Sequence, residues 1–293
     1  VENNHTQLAK KIVELGGDPD EGMQAAIERN NPSLVEYFIS FGASVVKPEY
    51  MAIAGTKSLA ITRFLVEKGA HADEGIASAS GAGKVDIVNY LLENAANPSR
   101  GIQTASLSGQ DAVLRLLLDN GGEPKLGILE AVKGNHTSTV NLLLNGGAPA
   151  EDPQLIAIAS GKNNERIASA LIQHGANPDN GLSAAVHYNA DKALRELIKN
   201  KANAKHDELV ERAVKQSSYL VIPILALVGN DMDKTQADGS SYLHMSLASA
   251  NNLNTIMALL EAGVSPNLQD NQGNTALHQA ARKGKEYIPI IQA

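Results

Sequence analysis

The stretch NPSRGIQTASLSGQDAVLRLLLDNGG, residues 97–122, contains one complete structural unit. It opens with an Asn-Pro-Ser turn, and residues 102–107 predict a short helix that is rich in small side chains. Gly109 lies in the break that follows, where a glycine can adopt positive φ. The leucine-rich residues 113–118 predict an apolar stripe at helical spacing, which ends at the Gly-Gly doublet 121–122. The unit is therefore a first helix, a tight turn, a longer second helix and a loop.

A Gly-Gly, Gly-Ala or related doublet returns at nearly constant spacing along the chain. Successive doublets begin 26 to 28 residues apart, and the last step is 34 residues. A period of roughly 20–50 residues is typical of stacked repeats. Because neither helix of a unit can bury its apolar face alone, neighbouring units are expected to stack side by side. The first members of the doublets are Gly16, Gly42, Gly69, Ala95, Gly121, Gly147, Gly175, Lys201, Gly229 and Gly263.

The composition predicts a thin core of small and aliphatic side chains. Hydrophobic residues make up 43% of the 293 residues, but aromatic residues make up only 3%, and Trp is absent. The absence of Cys excludes disulfides, Cys-ligated zinc and a Cys nucleophile, and it fits a reducing, cytoplasmic location. The net charge of -7 disfavours nucleic acid as a partner. No apolar run of about 20 residues predicts a membrane span.

The unit SPNLQDNQGNTALHQAARKG, residues 265–284, closely resembles the ankyrin repeat. Asp270, Gly273 and Asn274 match the tip of the family's hairpin. The tetrapeptide TALH, residues 275–278, matches its Thr-Pro-Leu-His helix start. The resemblance implies an L-shaped stack of antiparallel helix pairs whose usual role is protein–protein binding. It also implies that His244 and His278, which occupy matching places, hydrogen-bond across the turn and connect repeats.

Upstream units are similar to ankyrin repeats but are about seven residues shorter than the roughly 33-residue family unit. The missing length corresponds to the projecting β-hairpin. The resemblance therefore implies an all-α, ankyrin-like solenoid of about ten helix-turn-helix repeats, with short β-hairpins only in the last two. We expect residues 1–230 to form an array of repeats of about 26 residues, and residues 231–293 to form two longer repeats, the last truncated.

One repeat, residues 203–230, departs from the pattern. It lacks the usual glycine after its first helix. Pro223, and Pro289 in the last repeat, are predicted to lie inside second helices, where proline removes a hydrogen-bond donor and clashes with the preceding turn. We expect a local distortion or a changed stacking angle near residues 215–232.

Two stretches contain residue types that occur in ligand-binding motifs, but not in the order that those motifs require. Residues 80–84, SGAGK, are similar to the end of a phosphate-binding loop, but Val85 follows the lysine where Ser or Thr is needed. Asp231, Asp233 and Asp238 lack the ligand order and closing Glu of a calcium-binding EF-hand. We interpret both stretches as turns. We expect no catalytic residue, no metal and no cofactor, and therefore no enzyme activity in this chain.

Binding is expected at the ends of the first helices and the turns after them, which line the concave face of an ankyrin-like stack. In the second half of the chain these positions gather basic side chains around a tyrosine. Such a surface between residues 133 and 216 suits an acidic segment of a partner protein. The alternative is that each lysine only complements its helix dipole and stays solvated. The predicted partner-binding residues are Arg29, Lys133, Lys162, His187, Tyr188, Lys215, Arg282 and Lys283.

The sequence predicts a non-enzymatic scaffold that binds another protein through the concave groove, and it leaves the oligomeric state open. Short, irregular ankyrin arrays are also similar to those of effectors of intracellular bacteria, which would imply action in the host cytosol. The alternative function is a targeting or regulatory segment of a larger enzyme. That alternative follows from the first element, which reads as a second helix, and from the last, which ends before its glycine.

Overall fold

The structure, a computed structural model, describes residues 2–248 and 252–283. Every regular element in these residues is a helix, which confirms the predicted all-α class. The chain separates into two compact units, residues 1–149 and 150–293. Each unit has its own core of Ala, Ile, Leu and Val side chains, as the composition predicts.

The first unit contains eleven α-helices in its described part, and a short 3₁₀ turn, Pro124–Leu126, precedes the tenth. The complete repeat quoted above forms two helices of nine residues each, so its second helix is not longer than its first. In chain order the helices are α1 Glu2–Glu14, α2 Pro19–Glu28, α3 Pro32–Ser40, α4 Pro48–Lys57, α5 Leu59–Glu67, α6 Asp73–Gly81, α7 Val85–Glu93, α8 Ser99–Leu107, α9 Asp111–Asp119, α10 Ile128–Gly134 and α11 Thr137–Asn145.

The second unit contains nine α-helices in its described part, of six to nine residues. They are α12 Pro153–Gly161, α13 Glu165–Gln173, α14 Asp179–His187, α15 Asp191–Lys199, α16 Asp207–Lys215, α17 Ile222–Leu227, α18 Tyr242–Ala248, α19 Leu253–Glu261 and α20 Ala276–Lys283.

The helices of each unit form two layers. Even-numbered helices are the first helices of their repeats, and each packs on the even-numbered helices before and after it in the same unit. Odd-numbered helices are the second helices and form the other layer in the same way. The apolar stripe of each second helix faces its own first helix and its neighbours, so the core runs between the layers.

A left-handed residue marks the end of every second helix. The first members of all ten doublets have positive φ, between 65° and 104°. Glycine adopts this conformation without steric cost. Ala95, with φ 65°, and Lys201, with φ 68°, adopt it although they carry a Cβ. The repeat period in the sequence is therefore the period of one backbone conformation, even where glycine is absent.

The doublet closes each second helix with two hydrogen bonds. In the repeat of residues 97–122, the Gly121 N–H donates to the carbonyl of Leu118 and the Gly122 N–H to that of Leu117, both at 2.9 Å. These two bonds define a Schellman motif, which satisfies carbonyls that the helix end would leave unpaired. The alanine that often follows, such as Ala96, is buried and fills the space beside the helix end.

The loops after the doublets are connected by a ladder of hydrogen bonds. An aspartate at the start of one first helix accepts the backbone N–H of a loop residue 24 positions later. The distance is 2.6 Å from Asp73 to Asn97 and 2.6 Å from Asp179 to Asn203. These bonds set the register of each repeat on the next, because a slip by one residue would leave a loop N–H without its acceptor.

The first helices approach each other through paired small residues. A Cβ at Gly181 would lie 2.5 Å from Ser160 Oγ and 2.9 Å from Leu197 Cδ1. The hydroxyls of the paired serines are buried and have no hydrogen-bond partner among the described residues. Serine therefore suits this interface because its side chain is small. The pairs are Gly101 with Ser80, Gly127 with Ser106 and Gly181 with Ser160.

The β-hairpins predicted for the last two repeats are wrong. In the described residues each is reduced to one isolated antiparallel bridge, Thr235 with Ser241 and Gln269 with Thr275. The physical reason is the tight tip turn and the immediate start of a helix after Ser241 and Thr275. Only one residue on each side of the tip is left to pair, which is too few for a strand.

The prediction that Pro223 lies inside a second helix is also wrong. Helix α17 begins at Ile222, so Pro223 occupies its second position, where a missing N–H costs nothing. The helix is six residues long, and a turn replaces its first residues. Ser217 takes the left-handed conformation of the absent glycine, with φ 57°. Pro289 lies outside the described residues.

His244 connects the last two repeats, as the resemblance implies. Its Nδ1 lies 2.8 Å from Ser241 Oγ in the same repeat, and its Nε2 lies 3.0 Å from the carbonyl oxygen of Asn274 in the next. The side chain is buried. His278 makes the equivalent contact to Thr275 Oγ1 at 2.8 Å but is exposed.

Two opposite substitutions test the positive φ of the doublets. Gly121→Ala meets no atom within 4 Å, so its cost is conformational and is expected to be about 1–2 kcal/mol of unfolding free energy. Ala95→Gly is expected to raise the unfolding free energy, because it relieves the same strain. Urea unfolding followed by circular dichroism measures both, and equal signs for the two changes would contradict the account.

Close packing of the first helices gives a second test. Gly181→Ala is expected to destabilise the chain by about 1–3 kcal/mol, because the new methyl group overlaps Ser160 and Leu197. In a helix without such neighbours the same change stabilises by roughly 0.5–1 kcal/mol. Asn180→Ala, at the exposed neighbouring position, is the control and should change urea midpoints little. A stabilised Gly181→Ala protein would show that the helices do not meet there.

The His244 bridge gives a third test. His244→Ala removes the partner of the buried Ser241 hydroxyl and the contact to the Asn274 carbonyl, which keeps only the N–H of Asp270, and is expected to cost about 1–3 kcal/mol. His278→Ala is the matched control and should cost less, because His278 is exposed. Thermal unfolding compares the two variants. A larger loss at His278 would reject the bridging role of His244.

Candidate functional site

The ends of three first helices in the second unit form an exposed, mostly basic strip. We call it the basic edge and define it as six exposed residues in the C-terminal halves of α12, α14 and α16 or directly after these helices. Its side chains are exposed, in contrast to the buried alanines and valines on the opposite side of the same turns. The residues of the basic edge are Lys162, Ser183, His187, Tyr188, Arg212 and Lys215.

The turns behind the basic edge are fixed by hydrogen bonds between repeats. Asn163 adopts φ 54°, and its Oδ1 accepts the N–H of Ala193 in the next repeat at 3.0 Å. Asn189 adopts φ 55°, and its Oδ1 accepts the N–H of Leu220 at 2.8 Å. Each asparagine therefore serves as a left-handed turn residue and as a cap for the following repeat. The side chains on the edge project from a rigid backbone.

Tyr188 is the exposed aromatic of the basic edge. Its ring packs over Gly161 of the preceding repeat, where a Cβ would lie 2.8 Å from Tyr188 Cδ2. His187 contacts it edge-on, with ring centroids 4.6 Å apart. The side chain is nevertheless 65% exposed. A tyrosine held in place but open to solvent presents an apolar ring and a hydroxyl at little further entropic cost.

Two predicted binding lysines are paired with acids on their own helices. Lys133 Nζ lies 3.0 Å from Glu130 Oε1 in the first unit, and Lys215 Nζ binds Glu211 Oε1 in the second. These exposed pairs contribute little to stability, but each cancels most of the positive charge of its lysine at a distance. The predicted basic stripe is therefore less positive at both positions than the sequence indicates.

Two other cations of the basic edge lack an acidic partner. Within the described residues no carboxylate forms an ion pair with Lys162 or Arg212. Arg212 Nη1 reaches back to the hydroxyl of Ser183, which lies one helical turn before His187 on α14. Because serine is neutral, this contact orients the guanidinium without cancelling its charge. Sequence reasoning missed Arg212, although its position three residues before Lys215 places both on one helical face.

The remaining predicted residues lie elsewhere. Arg29, in the first unit, lines a cavity of about 630 Å³ between α1, α2 and α3, together with His5 and Asn31. Arg282 lines a cavity of about 390 Å³ at the tips of the last two repeats and donates to Asn274 Oδ1 at 2.9 Å. Lys283 ends α20, and its side chain lies outside the described residues.

Two carboxylates face the cavity beside Arg282. Asp238 accepts the backbone N–H of Ser240, and Asp270 accepts that of Asn274, both at 2.9 Å. These N–H donors hold the pKa of each carboxyl below its ordinary value, because they stabilise the charged form. Both aspartates therefore stabilise the tip turns.

The two stretches with ligand-site composition form turns. Gly83, with φ 69°, connects α6 to α7, and Asp233 accepts the N–H of Ser265 at 2.7 Å as part of the loop ladder. In the described ranges, no three side chains of His, Asp or Glu are placed to hold a metal ion.

None of the helices that the structure describes is long and apolar enough to cross a membrane.

Comparison with known proteins identifies the repeats. Residues 210–292 match the family model described as ankyrin repeats (3 copies). No curated protein matches the chain. The crystal structure of the human ASB11 ankyrin repeat domain is similar, with a TM-score of 0.56 and 22% identity over 65% of this chain and 98% of that one. The ankyrin repeat domain of Bcl-3 gives a TM-score of 0.48 and 18% identity over 66% and 97%. Residues 210–292 therefore match the ankyrin repeat family by sequence, and the fold of the chain is that of an ankyrin repeat solenoid.

Proposed function

We propose that the chain is a non-enzymatic scaffold that binds another protein through the exposed ends of its first helices. Ankyrin repeats in general are protein-binding modules. The observation that carries the proposal is the basic edge. The residues that build the repeats vary little, whereas the exposed residues at equivalent positions change from Lys162 to Tyr188 to Gln216. Rigid backbone with variable side chains is the arrangement that recognition surfaces need.

We further propose that the partner presents an acidic segment. Lys162 and Arg212 support this proposal, because their charges are not cancelled by neighbouring carboxylates among the described residues. Lys133 and Lys215 support it less, since each is paired with a glutamate. Complementary charge mainly accelerates association and orients the partner.

The cellular setting is also a proposal. We propose a cytoplasmic location, which the lack of Cys fits, and the host cytosol if the chain is a bacterial effector. The alternative, a targeting or regulatory segment of a larger enzyme, would use the same surface. Sequencing the complete reading frame distinguishes a catalytic domain in the same chain from a scaffold without one.

Site-specific photocrosslinking in cytosol tests the proposed surface. Benzoylphenylalanine in place of His187, on the basic edge, is expected to crosslink one or a few defined proteins. Benzoylphenylalanine in place of Lys192, exposed on α15, is the matched control on the second-helix layer and is expected to give none of them. Identical crosslinked species from both positions, or none from either, would contradict binding through the first-helix ends.

A further inference from the structure

We propose that Tyr188, flanked by Lys162 and Arg212, is a single anchoring subsite for an acidic peptide, and that Lys215 does not take part. This inference rests on the proposed protein-binding function and assigns residues within it. It departs from the sequence prediction, which gave Lys215 and Lys133 the same weight as Lys162.

Three consecutive first helices bring the subsite together. Tyr188 of α14 lies over Gly161 of α12, next to Lys162 in the chain. Arg212 of α16 reaches back to Ser183 of α14, on the face that also carries His187. Both cross-repeat contacts therefore converge on α14, with a tyrosine at its end and a cation from the repeat on each side.

A cation that already has an acidic partner is less available to an incoming carboxylate, and this difference separates the three cations. Glu211 lies on the same helix as Lys215 and binds it, so an incoming carboxylate would have to displace an acid already in place. Lys162 has no carboxylate partner in the described chain, and Arg212 is held by a neutral hydroxyl. A guanidinium oriented in this way can bind a carboxylate with two parallel hydrogen bonds.

The spacing indicates the form of the peptide. Packed helices lie about 8–10 Å apart, and an extended chain advances about 3.3 Å per residue. Helices α12 and α16 are two such spacings apart, and Arg212 reaches back by about one spacing to α14. An extended peptide that crosses the helix ends would therefore reach both cations with acidic side chains about three to six residues apart. Tyr188 belongs to the repeat between those that carry Lys162 and Arg212, and its ring would contact the side chains that lie between the two acids. A nucleic acid also offers negatively charged phosphates, so an oligonucleotide is compared with the peptide in the test below.

Fluorescence anisotropy with labelled decaglutamate at low salt tests the subsite. The full chain should bind decaglutamate at least about 10-fold more tightly than labelled decaglutamine, because only the former offers carboxylates. The double variant Lys162→Gln/Arg212→Gln should lose about 10-fold or more. Tyr188→Ala should lose several-fold, and Tyr188→Phe should lose less, because the ring supplies most of the contact.

Two double variants serve as controls. Glu211→Gln/Lys215→Gln removes the paired charges without changing net charge, and its affinity should stay within about 2-fold of the parent. Lys192→Gln/Arg195→Gln removes two exposed cations from α15, matching the charge change of Lys162→Gln/Arg212→Gln on the other layer, and should also have little effect. All exchanged side chains except Glu211 are exposed, and circular dichroism checks that each variant is folded.

Several results would overturn the inference. One is equal binding of decaglutamate and decaglutamine, and another is an α15 variant that weakens binding as much as the edge variant. Tighter binding of a single-stranded oligonucleotide of the same charge would reject a peptide in favour of nucleic acid. Photocrosslinking at His187 with no effect of Lys162→Gln/Arg212→Gln would reject this subsite while leaving the protein-binding function in place.

Discussion

A backbone that turns left-handed once per repeat is the constraint on which the rest of this structure depends. At each doublet the second helix ends, and two of its last carbonyls accept the N–H groups of the doublet. The chain then reverses direction before the next first helix begins. Glycine satisfies this requirement at eight of the ten positions, and Ala95 and Lys201 satisfy it under strain. The loop ladder and the glycine–serine pairs can form only when this reversal occurs at the right residue.

The same constraint explains how a thin core supports a binding surface. Helices that meet through Gly181 and Ser160 leave no room for large side chains between them, so the first layer is stiff although aromatic residues are scarce. Asparagines in the tight turns then cap the following repeat and hold the ends of the first helices. The exposed residues that follow these helices can vary without disturbing the interior. In the proposed function, recognition depends on a few exposed side chains, among them Tyr188 and Arg212, whose replacement costs the scaffold little stability.

Most of the fold could be predicted from the sequence because one backbone requirement repeats. The doublets and the alternation of helices follow from short-range patterns, and the role of His244 follows from the resemblance to the ankyrin repeat. The hairpins could not be predicted, since whether a tip carries strands or one bridge depends on how soon the helix starts after Ser241 and Thr275. Pro223 was placed wrongly because the sequence does not fix where α17 begins. At the candidate site, charge counting predicted Lys162 and Lys215 alike, and it could not show that Glu211 pairs with Lys215 or that Arg212 reaches Ser183. These side-chain contacts could not be predicted because only the folded geometry brings the partners together.

The most direct measurement of the central claim is the backbone conformation at Ala95 and Lys201 in a crystal structure of the chain. We expect positive φ at both residues, near 65° and 68°. The N–H groups of Ala96 and Ala202 should donate to the carbonyls of Leu91 and Leu197. These two positions are decisive because glycine cannot bias them. Negative φ at either residue, with the second helix continuing past it, would show that the period in the sequence does not record a repeated chain reversal.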